Sequence, residues 1–320
     1  MCKEIAILIG MGNIGSKYAF DPKALNCFDY ISHAQVLRAH PSISCVAAID
    51  PMLDTLAKDI LHWNIPNGFK TLTDFNNALP HLHPTLAIIA TPPTNRLNII
   101  KQLPKSVRAI VLEKPLSSSF SESKEISRIC SERNIIVEVN YWRRFDSEIV
   151  KLKRTLNDRL GRVQAGFAVY GNGLSNNGIH VIDSLRFLLG DVTNIININD
   201  SPGSFILQFK DGITVPIQQI NFSAYREIWL DLWGEKGRIE FIQEGLYYRF
   251  SELKAHRAIS GPVHELDQVQ SICSVTGAKR ALYSLYDHVL ERIHHGAPAR
   301  SDAKSALENE RVANAVEEND

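Results

Sequence analysis

Apolar runs alternate with helix-patterned stretches through the first part of the chain, and that alternation restricts the fold more than any other feature. "IAILIG", "SCVAAID", "LAIIAT", "RAIVLEK" and "IIVEVN" are short, rich in β-branched residues and closed by polar residues or proline. Between them lie stretches with helical character, among them "ISHAQVLRAH", "MLDTLAKDILHW" and "SESKEISRICSER". Continuously apolar strands separated by helices predict a parallel sheet covered on both faces. Around Arg144 the pattern changes. "RVQAGFAVY", "NIININD", "SFILQFKDGITVPIQQI", "IWLDLWGEKGRIEFI" and "LYYRF" follow one another mostly without helices. Asp211-Gly212 between two alternating runs is a hairpin signal, and Glu235-Lys236-Gly237 marks a similar reversal. The expected class is α/β: a doubly wound parallel sheet over residues 1–145, then an α/β domain over 146–320 with a large, open, mostly antiparallel sheet. The tail returns to helix at "ALYSLYDHVLERIHHG" and "AKSALENERVANAVEEN".

The 320 residues suffice for two cores, and 35 basic side chains balance 35 acidic ones. A balanced charge argues against nucleic acid or an acidic membrane as the main partner, since both need a field of one sign. The apolar N-terminal run is too short to cross a bilayer and carries no cleavage signal, so a cytoplasmic protein is expected. Five scattered cysteines, without a CxxC pair or a metal spacing, read as reduced and mostly buried thiols. His264 and the pair His294-His295 lack partners at ligand spacing, and no metal is expected.

Gly10, Gly12 and Gly15 form G-x-G-x-x-G directly after the first apolar run. Glycines at this spacing allow a tight turn whose backbone, here with Asn13 and Ile14, closely approaches a pyrophosphate. Asp50 closes the next strand, where an acid accepts from the ribose hydroxyls of NAD. It repels a 2′-phosphate and no arginine follows it, which favours NAD over NADP. The interval from Gly15 to Asp50 is longer than usual, because "SKYAFDPKALNCFDY" stands inserted before the next helix. His33, just after the insertion, either approaches the cofactor or substrate or lies on a helix surface, and the helix surface is expected.

"ATPPTNR" and "LEKPLS" follow later strands, at the C-terminal ends where ligands sit in open α/β sheets. Thr91, Pro92 and Pro93 there are candidates for holding a loop against the cofactor. Glu113 and Lys114 precede Pro115. A lysine in that place reaches nicotinamide and a substrate hydroxyl, and a lowered pKa makes it a proton carrier. The plainer alternative is a surface lysine paired with Glu113.

In "LSNNGIHVIDSLRFLLG", Ile182, Leu185 and Leu189 line an apolar side and Gly190 ends the helix. Asn176, His180 and Asp183 fall at i, i+4 and i+7, so a helix beginning near Asn176 stacks them on one face. They are either an active-site edge or a cap, a packed ring and an ion pair with Arg186. The preceding "YGNGLSNNG" is a polar, glycine-rich loop of the kind that wraps a sugar, with Tyr170, Asn172 and Asn177 as candidate contacts. Arg143 and Arg144 offer a guanidinium to a charged substrate such as a nucleotide-sugar, with at least one of the two expected in solvent.

Taken together, the glycine loop, the acid ending the second strand, TPP after the fourth strand, EKP after the fifth, "NYWRRF" at 140–145 and "GxHxxDxxRxLLG" from Gly178 resemble the glucose–fructose oxidoreductase / inositol dehydrogenase (Gfo/Idh/MocA) family over nearly the whole chain. That resemblance implies an NAD(P)-dependent dehydrogenase or reductase acting on a ring hydroxyl of a sugar, cyclitol or nucleotide-sugar. It implies Lys114 at substrate and nicotinamide, His180 as acid/base, Asp183 in support, and a homodimer or homotetramer formed through the C-terminal sheet. Many members carry aspartate where this chain has Asn176, an amide that cannot take a proton. The departure keeps open a second reading, a non-catalytic sensor binding dinucleotide or metabolite.

Overall fold

The computed structural model describes residues 3–198, 201–223, 226–269 and 271–318. They form two compact units, Met1–Phe145 with Ala278–Glu308, and Asp146–Gly277 with Asn309–Asp320.

In the first unit, β1 (Glu4–Ile9), β2 (Ile43–Ile49), β3 (Gly68–Phe69), β4 (Leu86–Ile89), β5 (Ala109–Leu112) and β6 (Ile136–Val139) make one six-stranded sheet in the order β3-β2-β1-β4-β5-β6. Every pairing in it is parallel. The order reverses beside β1, which places a crevice past the ends of β1 and β4. β4 and β5 are buried throughout, as their unbroken apolar sequences require. The two-residue edge strand β3 has no apolar run to announce it.

The helix Ala278–His295 belongs to this unit, although its sequence position groups it with the second domain. Leu282, Leu285, Tyr286, Val289 and Leu290 recur on one helical face and join the core of the parallel sheet. Arg292 donates to the Val137 carbonyl and to the fully buried Glu138 carboxylate on β6. Burial of that stripe, not chain order, decides where the helix goes.

The second unit contains β7 (Val163–Tyr170), β8 (Val192–Asn197), β9 (Phe205–Phe209), β10 (Thr214–Gln219), β11 (Ile228–Gly234), β12 (Gly237–Ile242), β13 (Tyr247–Ala255), β14 (His264–Leu266) and β15 (Ile272–Val275). The order is β14-β13-β12-β11-β7-β10-β9-β8, with β15 beside β13, and among the described residues only β7 and β10 pair in parallel. Asp211 and Gly212 turn β9 into β10 with φ of 64° and 78°. The end of "NIININD", Asn199-Asp200, lies outside the described residues.

The helices Ser147–Leu160 and Ile179–Leu189 cover one face, with Val312, Ala313 and Val316 from the tail. Side chains alternating with that core, Phe167 and Trp233 among them, are exposed on the other face. Cys130 is buried, which pushes its thiol up to about 11, whereas Cys27 and Cys273 are exposed, contrary to the expectation of buried thiols. Among the described residues no helix is long and apolar enough to cross a membrane.

Leu285 is fully buried in the first core. Leu285→Ala should lower stability by about 2–5 kcal/mol in denaturant unfolding. A loss below about 0.5 kcal/mol would show that this helix is not part of that core.

Candidate functional site

The glycine loop rises directly from β1. Gly10 has φ of 98°, and a Cβ there meets the Ala90 carbonyl carbon at 2.7 Å, so the turns after β1 and β4 abut. A Cβ on Gly15 lands 2.2 Å from the Gly10 oxygen, which closes the turn to any larger residue. At Gly12 a Cβ meets nothing within 4 Å, and the crest formed with Asn13 faces solvent. The Ile14 and Gly15 carbonyls accept from the His33 and Ala34 amides at 2.9 Å, tying the loop to the next helix in spite of the insertion. Among the described residues the amides of Gly12, Asn13 and Ile14 have no partner. An open crest with unclaimed N–H donors suits a pyrophosphate.

Asp50 ends β2 half-buried, with its carboxylate accepting from Met11 N at 2.7 Å and Met52 N at 2.9 Å. Those bonds orient it at the mouth of the loop and leave lone pairs for further donors. Glycines and acid therefore fit a dinucleotide as one constellation.

Arg96 connects the two loops beyond β4 and β5. Only 2% exposed, its guanidinium donates to the carbonyls of Thr91, Glu113 and Pro115. It begins the helix Arg96–Gln102, where a cation opposes the helix dipole. That misplacement is its only trace in the sequence, too slight to mark it among the site residues. Pro92 is exposed, while Thr91 and Pro93 are half-buried.

Glu113 is the least ordinary group in this unit. It is 8% exposed, and its Oε1 accepts from His33 Nε2 at 3.0 Å and from Asn140 Nδ2 at 2.6 Å. Burial pushes its carboxyl up, but the hydrogen bond and charge of His33, with Asn140 and Arg96, outweigh that and hold it below the usual carboxylate range. His33 is fully buried with Nδ1 2.7 Å from the Tyr286 hydroxyl, so the expectation of a surface histidine is corrected. The helix holding it begins inside the fold because its first turn docks on the glycine loop.

Lys114 is half-buried beside this cluster. Burial lowers its pKa, the charges of Arg143 and Arg96 act the same way, and Glu113 opposes them without prevailing. Neither arginine of the 143–144 pair is in solvent, which corrects that expectation. Arg143 is 7% exposed and lies over the Trp142 ring at 4.3 Å. Arg144, at 6%, donates to the Arg300 carbonyl and Ser305 Oγ, so it ties the tail to the first unit and is set aside as a substrate group.

In the second unit the expected helix from Asn176 begins instead as a π-helical turn, Leu174–Gly178, continued by the helix Ile179–Leu189. The wider turn changes how Asn176 stacks on the residues that follow. Asn176 is exposed, Asn172 is exposed with φ of 67°, His180 is half-buried and Asn177 is buried. Asp183 is 1% exposed and accepts from Asn309 Nδ2 at 2.6 Å. Asn309 Oδ1 accepts from Arg186, which also donates to Asp191. Burial therefore withdraws Asp183 from substrate contact and makes it a support of this helix. Tyr170, fully buried with its hydroxyl donating to the Gly203 carbonyl, is likewise corrected from contact to core. Its place in an alternating strand points inward, and a buried phenol needs an acceptor. Among the described residues no group of three or more His, Cys, Asp or Glu could hold a metal ion.

Residues 5–141 match a family described as "Oxidoreductase family, NAD-binding Rossmann fold". Scyllo-inositol 2-dehydrogenase (NAD(+)) of Bacillus subtilis is 28% identical over 128 residues, which are 34% of this chain and 36% of that protein. The chain thus spans about a third of that relative's length. A levoglucosan dehydrogenase in complex with NADH and L-sorbose shares the fold at TM-score 0.74 and 15% identity, over 99% of this chain and 96% of that one. So does a super-repressor mutant of Gal80p from Saccharomyces cerevisiae, at TM-score 0.75 and 12% identity, over 99% and 95%.

A lysine ammonium cannot span the three carbonyls that Arg96 holds. Arg96→Lys should cost about 1.5–3 kcal/mol and speed amide hydrogen exchange in residues 91–95 and 113–116. Unchanged exchange in both loops would show that Arg96 does not join them.

Proposed function

By its residues 5–141 the chain belongs to the Gfo/Idh/MocA oxidoreductase family with an NAD-binding Rossmann fold, and from that premise we propose that it is an NAD-dependent dehydrogenase or reductase of a secondary hydroxyl on a sugar, cyclitol or nucleotide-sugar. The observation that carries this reading is the half-buried, cation-crowded Lys114 next to a buried, ionised Glu113, at the end of β5 in a sheet that bears the glycine loop.

The nicotinamide cofactor supplies the hydride chemistry. Gly10 and Gly15 shape the turn, the unclaimed amides of Gly12, Asn13 and Ile14 hold the pyrophosphate, and Asp50 accepts from the ribose hydroxyls, which selects NAD over NADP. Thr91, Pro92 and Pro93 form one wall, fixed to the Glu113–Pro115 segment by Arg96. Lys114 is the proton carrier of the first unit, because a depressed pKa makes its amine more available to take a hydroxyl proton. In the second unit His180 is the titratable group offered to a substrate hydroxyl, with Asn172, Asn176 and Asn177 as amide contacts. Arg143 is the guanidinium proposed for a charged substrate.

The second unit serves substrate binding and self-association. Its exposed sheet face carries Phe167, Ile196 and Trp233, and a second copy covering that face gives a homodimer or homotetramer. Asn176 favours a second reading, a dinucleotide- or metabolite-binding sensor, since a neutral amide cannot balance an imidazolium.

Titration by nucleotide fluorescence should show NADH binding more tightly than NADPH. Equal or tighter NADPH binding would take Asp50 out of cofactor selection. Lys114→Met and His180→Ala should abolish turnover of any accepted substrate while keeping NADH affinity, and near-normal rates in either variant would exclude that residue.

A further inference from the structure

Four elements of the first unit send one polar group each into a buried cluster behind Lys114. His33 comes from the first turn of the helix His33–Ala39, Glu113 from the end of β5, Asn140 from the end of β6 and Tyr286 from the tail helix. Their arrangement fixes donors and acceptors. An ionised carboxylate only accepts, so His33 Nε2 carries a proton and donates to Glu113 Oε1. Burial raises the Tyr286 phenol well above its ordinary value, reinforced by Cys45 and Glu113, so it stays protonated. The Tyr286 hydroxyl lies 2.7 Å from Nδ1 on the far side of the ring, and the line from Tyr286 through His33 to Glu113 is connected at each step. A histidine, an amide and a phenol are more than packing needs at a site that apolar side chains fill at less cost.

We propose that His33 is a positioning residue of the candidate site, acting through Glu113 to fix the backbone and the charge beside Lys114. Oε1 of Glu113 is pinned by His33 and Asn140 while Arg96 pins its carbonyl, so both sides of the residue preceding Lys114 are held. The charged groups around the pair are Arg96 and Arg143, both cationic and both lowering the Lys114 pKa, and Glu113 is the anion that opposes them. Without the His33 donor, burial acts on the Glu113 carboxyl against Asn140 and Arg96 alone, and its pKa rises. The anion that opposes the two guanidiniums at Lys114 is thereby weakened, and the ammonium becomes easier to deprotonate. His33 thereby sets how strongly Lys114 holds its proton without touching substrate.

The role of His33 rests on reading Lys114 as a proton carrier, and its test needs no substrate. Full-length protein is labelled with acetic anhydride across a range of pH, and acetylation of Lys114 is read by mass spectrometry. Wild-type Lys114 should titrate below the surface lysines. His33→Leu and Glu113→Gln should each move its midpoint further down and speed its acetylation several-fold at neutral pH. His33→Gln, which keeps a donor toward Glu113, should restore the wild-type midpoint. The double variant His33→Leu with Glu113→Gln should move the midpoint no further than either single change, because both act through one charge. A Lys114 that titrates with the surface lysines in wild type would contradict the proton-carrier reading itself. A depressed wild-type midpoint left unmoved by a folded His33→Leu protein would overturn only the role of His33. If His33→Leu does not fold, Glu113→Gln against His33→Gln carries the test, and a Glu113→Gln protein with the wild-type midpoint overturns the inference.

Discussion

A carboxylate taken out of water must be paired, and much of the first unit is arranged around meeting that condition for Glu113. His33 and Asn140 satisfy one oxygen, Arg96 supplies positive charge nearby, and Tyr286 completes the far side of His33. Each partner comes from a different element. The helix His33–Ala39 has to begin behind the glycine loop, the tail helix has to return to the parallel sheet, and the loops after β4 and β5 have to be joined by Arg96. The chemistry proposed for Lys114 depends on that pairing, because the anion that sustains its proton affinity is held by residues far away in the chain.

The second unit follows a different constraint. One sheet face is closed by two helices and the end of the tail, while the other presents aromatic side chains outward. Within it, Asn309 connects Asp183 to Arg186, and so the helix bearing His180 is fixed by the last segment of the chain. A buried network of this kind holds a helix in one rotation about its axis, which a half-exposed imidazole requires if it is to meet a ligand in a constant direction.

The alternation of strands and helices is legible in the sequence because a parallel sheet buried on both faces leaves unbroken apolar runs, as in β4 and β5. The glycine loop and Asp50 are legible because steric demand and charge are local properties. What the sequence hides are contacts between residues distant along the chain. His33 looks like a surface histidine until Tyr286 and Glu113, 253 and 80 positions away, close around it. Arg144 looks solvated until Arg300 and Ser305 supply its acceptors. Tyr170 and Asp183 look like site residues when polarity is weighed above alternation and helical facing. The π-helical turn at Leu174–Gly178 alters the spacing on which a stack of Asn176, His180 and Asp183 depends.

Whether this chain moves a hydride between nicotinamide and a sugar-like alcohol is decided by single-turnover absorbance at the NADH wavelength. Concentrated protein would be mixed with NAD and a panel of free sugars, cyclitols and nucleotide-sugars, with NADH fluorescence as the binding control. A rise stoichiometric with protein is expected for one chemical group of the panel. Clear NADH binding with no rise for any of them would refute hydride transfer from these alcohols and favour the sensor.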